Sequence, residues 1–294
     1  MAHMSEPIEL AVLGGSGFYE MPGLEVRAEV ALDTPFGPTS DTIRMGTLEG
    51  VSVAFLARHG RTHSILPSEI PQRANFWALK SLGVKRVLGV SAVGSLREDY
   101  KPTDLVTPDQ LIDRTLGDRV ATFFGEGVVA HIGMAEPFCP QLRAGALTAA
   151  RAAGATTHPD GTYVVIEGPA FGTRAESELY RAWGASIVGM TALPEAKLAR
   201  EAELCYAVLA AVTDYDAWHT GHAAVDAKTV FGVLRQNVDV SREAVKQLVR
   251  RLPSGGCDCA TSLDAALVTA PRHLTATQRE RLHPILARRL GDAS

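Results

Sequence analysis

The sequence lacks a basic excess and a long apolar run, and each absence excludes a class of function. Its 29 Lys and Arg residues are outnumbered by 33 Asp and Glu residues, which gives a net charge of −4. Because nucleic-acid-binding proteins usually carry a basic excess, we expect no nucleic-acid partner. No apolar run approaches the roughly 20 residues of a membrane-spanning helix, so we expect no membrane attachment.

The N-terminus and the few cysteines indicate the compartment. Residues 1–6 (MAHMSE) are short and polar, lack the apolar core of a signal peptide, and are expected to be a tag or a disordered N-terminus. Four cysteines among 294 residues are too few for a disulfide scaffold. We therefore expect a cytoplasmic protein.

What the sequence does contain is ordinary for a globular protein. Hydrophobic residues make up 46 % of the chain and charged residues 21 %. No segment of about 20–50 residues repeats, which argues against a solenoid, and no low-complexity linker divides the chain. We expect a single domain over residues 7–294.

Short apolar runs alternate with segments of helical periodicity. We expect strands at 8–13, 85–90, 162–166, 186–188 and 205–212, a hairpin of 42–48 and 51–57, and helices at 74–82, 145–153, 175–183, 194–203 and 226–252. Thr275 and Gln278 can form a capping box for a last helix, which we expect Pro284 to break or restart. The pattern predicts an α/β fold with a mixed central β-sheet and helices on both faces.

A glycine-rich turn, Gly14-Gly15-Ser16-Gly17, follows the first predicted strand. Backbone N–H groups in such a turn can hold an anion, although a plain tight turn is equally compatible with the motif. The dinucleotide fingerprint requires a glycine where Glu20 stands, which argues against a dehydrogenase.

A basic segment follows the hairpin. His59 and His63 are four residues apart, but Gly60 stands where a zinc protease would need glutamate, so a metal site is disfavoured. Arg58 beside His59 suits an oxyanion better, since a guanidinium makes forked, charge-assisted hydrogen bonds. A solvated basic loop is the alternative.

Two further polar groups follow predicted strands. Ser91-Ala92 can offer a hydroxyl and backbone N–H groups to a phosphate or ribose. Asp214 and Asp216 end a very apolar strand, where a carboxylate can hold or deliver a proton. A polar start of a loop is the alternative, and no third acid or histidine nearby completes a metal site.

The cysteines indicate no metal site. Cys257 and Cys259 are too close for an ordinary zinc hairpin, and no Cys-x-x-Cys pair is present to join them. We expect free thiols at all four cysteines, with a disulfide between Cys257 and Cys259 as the minor alternative.

Nine ordered strings carry a resemblance that extends from Val12 to about Leu252. They are GGSGFY, DTPFGPTSD, FLARHGRTH, RANFWALKSLGVKRVLGVSAVGSL, DQLIDRT, MAEPFCP, VVIEGPAFGTRAES, GMTALPEAKLARE and VTDYDAW. Together they resemble the 5′-methylthioadenosine phosphorylases of the trimeric purine nucleoside phosphorylase superfamily. The resemblance implies phosphorolysis of methylthioadenosine to adenine and 5-methylthioribose 1-phosphate by a homotrimer. It also implies that inorganic phosphate is a co-substrate and that no metal or organic cofactor is needed.

The resemblance also assigns residues. It implies a phosphate site of Ser16, Arg58, His59, Ser91, Ala92 and Thr191. It implies that Asp214 faces the purine N7 as the proton donor, with a raised pKa when substrate is bound, and that Asp216 supports it. It implies a nucleoside site of Met190, Phe171, Thr213, Val225, Ala227, Val230, His131 and His63, in which His131 comes from a neighbouring subunit and Val225, Ala227 and Val230 line an apolar slot for the 5′ group.

Three departures from the family concern the substrate. Gly189 replaces an asparagine, Gly172 replaces a serine, and Ala227 is smaller than the usual valine. In the tail, Cys257-x-Cys259 resembles a disulfide-forming feature of some thermophilic relatives, and Cys139 could pair with Cys205 in the same way; reduced thiols remain the expectation.

Four other activities compete with this interpretation. A carboxylate pair accepts hydrogen bonds from a 6-aminopurine, which argues against a phosphorylase for 6-oxopurine nucleosides. A phosphorylase for adenosine remains open, and the apolar 5′ segment argues against it. A nucleosidase would need no anion site, and a silent nucleoside-binding module would not need the Asp214 carboxylate.

Overall fold

The computed structural model describes residues 7–15, 18, 20–117, 119–219 and 227–291; of residues 227–231 and 234–236 it describes the backbone alone. Ser16 and Val225 lie outside this part of the chain. The strands are β1 (Leu10–Gly14), β2 (Glu25–Val30), β3 (Asp33–Thr34), β4 (Gly37–Pro38), β5 (Ile43–Leu48), β6 (Val51–Ala57), β7 (Arg86–Ser95), β8 (Leu105–Val106), β9 (Gln110–Arg114), β10 (Thr157–His158), β11 (Thr162–Ile166), β12 (Ile187–Gly189) and β13 (Cys205–Asp214).

The helices alternate with these strands. They are α1 (Gln72–Ser81), α2 (Pro140–Ala152), α3 (Arg174–Ala182), α4 (Ala192–Glu201), α5 (Ala227–Arg250) and α6 (Ala276–Leu290), with short 3₁₀ helices at Pro67–Glu69, Asp258–Thr261 and Pro271–His273. In the part of the chain described here, no helix is both long and apolar enough to cross a membrane.

An eleven-stranded sheet forms the centre of the molecule. Its main path runs β10-β8-β13-β7-β1-β6-β5-β2, while β12 pairs with β7 and leads to β11 and β9. Strand β7 is parallel to β1 and β13 and antiparallel to β12. The sheet is therefore mixed, as predicted. The parallel strands β1, β7 and β13 have their carboxyl ends at the same edge of the sheet.

The two faces of β13 carry the two main cores. Side chains alternate between the faces of a strand. Tyr206, Val208, Ala210 and Val212 pack on the side of α1, α4 and α6. Ala207, Leu209 and Ala211 pack on the side of α2 and α5. The prediction of an α/β fold with helices on both faces is confirmed.

Two strands run further than predicted. Strand β7 continues to Ser95 because its carboxyl half stays paired with β13 on one side and with β12 on the other. Strand β13 likewise ends at Asp214, opposite Gly94. Ser91 and Ala92 thus lie within a strand instead of in the loop after it. Their pairing with Ala210 and Ala211 of β13 fixes their position along the strand.

The prediction that Pro284 breaks the last helix is wrong. The Thr275 and Gln278 capping box forms as predicted, and α6 then runs unbroken through Pro284. A proline removes the hydrogen bond to the carbonyl four residues earlier, which here belongs to the exposed Glu280, whose carbonyl can turn to water. Leu282, Ile285 and Leu286 are buried on the opposite side, so tertiary packing holds the helix together.

Candidate active site

A cleft opens where the carboxyl ends of β7 and β13 meet the turn after β12. It holds about 860 Å³ of space, open mouth included. Its apolar walls come from Val93, Ile166, Phe171, Val188 and Met190. We call Arg58, Ser91 and Thr191 the anion end of the cleft, and Asp214 and Asp216 its carboxylate end.

Arg58 is the centre of the anion end. Its side chain is 1 % exposed, and Nη2 donates to the Leu13 carbonyl at 2.7 Å. Nη1 faces three acceptors together: the Val90 carbonyl at 3.1 Å, Ser91 Oγ at 3.0 Å and Thr191 Oγ1 at 3.2 Å. The two hydroxyl oxygens are 2.8 Å apart. An anion that reached these hydroxyls would therefore also face a fixed positive charge.

A buried carboxylate holds this arginine in place. Arg58 Nε lies 3.0 Å from Glu195 Oε1 in an ion pair whose side chains are 1 % and 0 % exposed. The Tyr206 hydroxyl donates to Glu195 Oε2 at 2.7 Å, and Gln72 Nε2 donates to Oε1 at 3.4 Å. Burial raises the pKa of Glu195, and the Arg58 charge opposes that rise. The pair fixes the guanidinium before any ligand arrives.

His59 lies beside this end and is neutral at pH 7. Burial lowers its pKa to about 4. Its Nδ1 is 2.9 Å from the Ile65 carbonyl. In the neutral ring we assign the proton to Nδ1, which must donate to that carbonyl, so Nε2 can accept a hydrogen bond from a protonated phosphate oxygen.

The carboxylate end contains acidic groups held by hydrogen bonds, whereas the anion end contains an arginine held in an ion pair. Thr213 Oγ1 donates to Asp214 Oδ2, and the backbone N–H of Asp216 donates to Asp214 Oδ1, both at 2.8 Å. Burial raises the pKa of both carboxyl groups. Among the described residues, no cation forms an ion pair with either group, so both are biased toward the protonated form that a proton donor needs.

The turn that carries Met190 and Thr191 is held from behind by a second buried arginine. Arg119 Nη1 donates to the carbonyls of Met190 at 2.6 Å and Leu193 at 2.9 Å, and Arg119 Nε donates to Glu167 Oε1 at 2.6 Å. Backbone carbonyls tied in this way cannot rotate freely. Arg119 thus sets where the Thr191 hydroxyl and the Met190 N–H point.

Gly189 and Gly172 have different surroundings in the cleft wall. A Cβ on Gly189 would overlap the hydroxyl of Tyr163, which is buried there, whereas a Cβ on Gly172 would come no closer than 3.9 Å to Glu176. Tyr163 therefore fills the space that a side chain at position 189 would need. Position 172 has room for a small side chain.

The spacing of the two ends suits a ligand that spans both. Ala210 pairs with Ser91, and Asp214 pairs with Gly94, three residues further along β7. At about 3.3 Å per residue, the carboxylate end stands roughly 10 Å from the anion end. The cleft can therefore hold an anion at one end and a proton-accepting heterocycle at the other, with an apolar wall between them.

The comparisons with known proteins agree with this chemistry. The sequence matches the phosphorylase superfamily over residues 9–252. The S-methyl-5′-thioadenosine phosphorylase of Chloroflexus aurantiacus is 55 % identical over 280 residues, which cover 95 % of this chain and 97 % of the relative. That of Geobacter sulfurreducens is 50 % identical over 278 residues, which cover 94 % and 97 %. This chain belongs to the phosphorylase superfamily.

Solved structures support the same family for this phosphorylase. A methylthioadenosine phosphorylase from an antarctic soil metagenomic library has a TM-score of 0.89 and 47 % identity, and the match covers 95 % of this chain and 99 % of that one. A variant of adenosine/methylthioadenosine phosphorylase from Schistosoma mansoni, in complex with methylthioadenosine, has a TM-score of 0.78 and 37 % identity over 85 % of this chain and 93 % of that one. The family and fold predictions are confirmed.

The phosphorylase structure brings most of the predicted site residues to this one cleft. Its lining includes Arg58, His59, His63, Ser91, Ala92, Phe171, Met190, Thr191, Thr213, Asp214 and Asp216. The Thr213 hydroxyl lies within hydrogen-bond distance of Asp214 Oδ2 and of the Val93 carbonyl, at 2.8 Å and 3.2 Å, so it also helps to position the carboxylate. Their roles toward a ligand remain predictions.

Some predicted residues are not in this cleft. His131 is exposed, its backbone N–H donates to the Ala266 carbonyl at 2.9 Å, and it is not part of the cleft lining. Ser16 and Val225 lie outside the described residues. Ala227 and Val230 lie on α5, and of their side chains nothing is described.

Three functional residues of the phosphorylase escape sequence reasoning: Glu195, Tyr206 and Arg119. The available signal for Glu195 is a lone carboxylate among Ala192, Ala196 and Ala199 on the apolar face of α4. Arg119 lies in a segment with no periodic pattern. Within the described residues, the cleft contains no cluster of three or more side chains that could together bind a metal ion.

Proposed function

We propose that this phosphorylase cleaves S-methyl-5′-thioadenosine with inorganic phosphate to give adenine and 5-methylthioribose 1-phosphate. One observation carries the proposal: a buried, preformed anion end and a proton-biased carboxylate end share one cleft. The relatives at 50–55 % identity support the choice of substrate, since they are named for it.

The anion end would hold the nucleophile. Breaking the N-glycosidic bond builds positive charge on the ribose, as in other glycosyl transfers. Phosphate held by Arg58, Ser91 and Thr191 would attack C1′ and place its negative charge against that cation. Because Arg58 is already fixed by Glu195, little reorganisation is needed when phosphate binds.

The carboxylate end would handle the leaving purine. As the bond breaks, negative charge moves onto the purine, and a proton at N7 stabilises it. A protonated Asp214 would donate this proton, and an ionised carboxylate would accept a hydrogen bond from the exocyclic amine of adenine. A 6-oxopurine presents an acceptor there instead, which favours adenine over hypoxanthine.

We also propose a homotrimer, without metal or organic cofactor in the reaction. The support for assembly is His131, which is exposed and is not part of the lining of its own cleft, together with the exposed apolar side chains of Val129 and Val268. Light scattering should give a mass near three times 31.3 kDa, and a fully active monomer would contradict the proposal. The cytoplasmic location expected from the sequence stays a prediction.

The decisive test is adenine release from S-methyl-5′-thioadenosine with and without inorganic phosphate, with inosine as the parallel substrate. The proposal requires phosphate-dependent release of adenine, formation of the sugar phosphate, and no cleavage of inosine. Release without phosphate would indicate a nucleosidase, cleavage of inosine alone an oxopurine phosphorylase, and binding without turnover a silent module. Asp214→Asn protein is the control for contaminating activity.

A further inference from the structure

All four cysteines meet at one place, although they come from three separate parts of the chain. Cys139 precedes α2, Cys205 begins β13, and Cys257 and Cys259 flank Asp258 at the start of a 3₁₀ helix. Their sulfur atoms all lie within 4.8 Å of one another. The Cys257 sulfur is 3.1 Å from that of Cys205 and 3.9 Å from that of Cys139. The partners that the sequence pattern lacked for the Cys257-x-Cys259 pair are therefore supplied by the fold.

We propose that these four thiolates bind one zinc ion as a tetrahedral site. Zinc–thiolate bonds are about 2.3 Å long, so the sulfur atoms of a regular tetrahedron stand about 3.8 Å apart. The observed separations bracket that value. A disulfide would need about 2.05 Å between one chosen pair, whereas here each sulfur has three comparable neighbours.

The surroundings favour a charged thiolate cluster. Four thiolates around one zinc ion leave a net charge of −2, which requires compensation in a buried place. The Arg200 guanidinium Nη1 lies 4.0 Å from the Cys259 sulfur. Cys139 lies directly before the first residue of α2, at the N-terminus of that helix. The positive end of that helix suits an anionic ligand set.

The site would be structural and not catalytic. Four cysteine sulfur atoms would occupy all four tetrahedral positions, so no open position is left for water or substrate. Cys139 and Cys259 are also buried. Cys205 is the first residue of β13 and Asp214 is the last, so the two sites are separated by roughly 30 Å of strand.

What the ion would fix is the irregular segment after α5. Between α5 and α6, the described elements are two short 3₁₀ helices. The segment is tied to the body by a few polar contacts, such as Arg86 Nη2 to the Pro253 carbonyl at 2.8 Å and Gln141 Nε2 to the Gly256 carbonyl at 3.0 Å. A metal that joins Cys257 and Cys259 to α2 and β13 would fasten this segment at its centre.

The first experiment measures metal content in the whole enzyme. The protein is expressed with zinc available, purified under reducing conditions without chelator, and dialysed before elemental analysis. We expect about one zinc ion per chain, with X-ray absorption showing four sulfur ligands at about 2.3 Å. Cys257→Ser/Cys259→Ser should lose the metal. Asp258→Asn, which changes the residue between them and keeps every thiol, should retain it.

A second measurement covers the case in which the cysteine variant fails to fold. Wild-type protein treated with a strong chelator should lose zinc and melt at a lower temperature, and added zinc should restore both. The KM for nucleoside should stay within twofold while the enzyme remains folded. Cobalt(II) in the chelated protein should give the absorption bands of a tetrahedral thiolate site.

Three results would overturn the proposal. Zinc far below one per chain together with four reactive thiols in the unfolded protein would mean free thiols. Fewer than four reactive thiols in protein unfolded without reductant would mean disulfides. Equal zinc content in the wild type and in Cys257→Ser/Cys259→Ser would place the metal elsewhere.

Discussion

The two ends of the cleft are both buried, but the charged group at one end has a counter-ion and the acidic groups at the other end have none among the described residues. At the anion end, Arg58 is paired at 3.0 Å with Glu195. At the carboxylate end, Asp214 and Asp216 face hydroxyl and backbone groups, and among the described residues no cation pairs with them. Burial alone therefore does not decide the charge state, because the partner of each group decides it.

This difference matches what each end would have to do. A phosphate site must keep its positive charge through the reaction, so an arginine locked to a carboxylate and two carbonyls suits it. A proton donor must change charge, so a carboxyl group without a fixed counter-ion suits it. The comparison leads to four tests, ordered by the size of the effect that we expect.

Asp214→Asn should have the largest effect. It removes the donated proton and leaves the shape of the carboxylate end unchanged, so kcat/KM for S-methyl-5′-thioadenosine should fall about 10²- to 10⁴-fold. Burial raises the pKa of Asp214, so the ionised carboxylate opposes folding. The carboxyl group therefore contributes stability that is fully present below its unfolded pKa. That contribution is lost as pH rises through the higher folded pKa.

The stability of Asp214→Asn relative to wild type should therefore increase as pH rises from 4 toward neutrality. Thermal unfolding across that range measures it. Lys80→Ala, at a half-buried position on α1 outside the cleft, is the control for general effects on activity. Retention of full activity in Asp214→Asn would remove this carboxyl group from the proposed chemistry.

Glu195→Gln should be the most destabilising change at the anion end. Removing one partner of a buried ion pair leaves the other charge uncompensated, which costs about 3–5 kcal/mol. The KM for phosphate should rise as well, because Arg58 loses its anchor. Chemical denaturation gives the first quantity and phosphate titration gives the second.

Tyr206→Phe is the matched control for Glu195→Gln. It deletes one hydrogen bond to the same carboxylate and keeps the ion pair, so it should cost about 1–3 kcal/mol and leave the KM for phosphate nearly unchanged. If Glu195→Gln cost no more than Tyr206→Phe, the ion pair would not be what holds the anion end together.

His59 should make the enzyme acid-labile. Its folded pKa, near 4, lies below the usual 6.5. A base with a lowered folded pKa contributes stability that is present above 6.5 and is lost as pH falls from 6.5 to 4. The full loss corresponds to roughly 3 kcal/mol. His59→Gln should flatten this part of the stability curve, and an unchanged acid transition would show that other groups cause it.

The sequence predicts those site residues that directly follow or end a recognisable apolar strand. Arg58 and Asp214 follow or end apolar strands, and strands that run parallel bring such positions to one edge, so their meeting could be predicted. The resemblance supplied Met190 and Thr191, which no spacing rule would have found. These predictions needed no knowledge of distant packing beyond the order of strands.

The features that could not be predicted from the sequence depend on contacts between segments that are distant along the chain. Glu195 is a charge on an apolar helix face until the fold places Arg58 opposite it. Cys139 and Cys205 show no metal-binding spacing with Cys257 and Cys259, and topology alone brings them together. The local rule against proline inside a helix predicts a break at Pro284, but the burial of its neighbours in α6 outweighs that rule.

The smallest test concerns how tightly each part of the cleft wall is filled. Gly189→Ala should cost about 1–3 kcal/mol of stability, since its Cβ would press on the buried Tyr163 hydroxyl. Gly172→Ala, whose Cβ would come no closer than 3.9 Å to Glu176, should stay within about 0.5 kcal/mol. A double-mutant cycle with Tyr163→Phe should recover part of the Gly189→Ala cost, because the two changes share one contact. Additive costs would mean that Tyr163 is not what excludes a side chain at position 189, and the glycine there would then need a different cause.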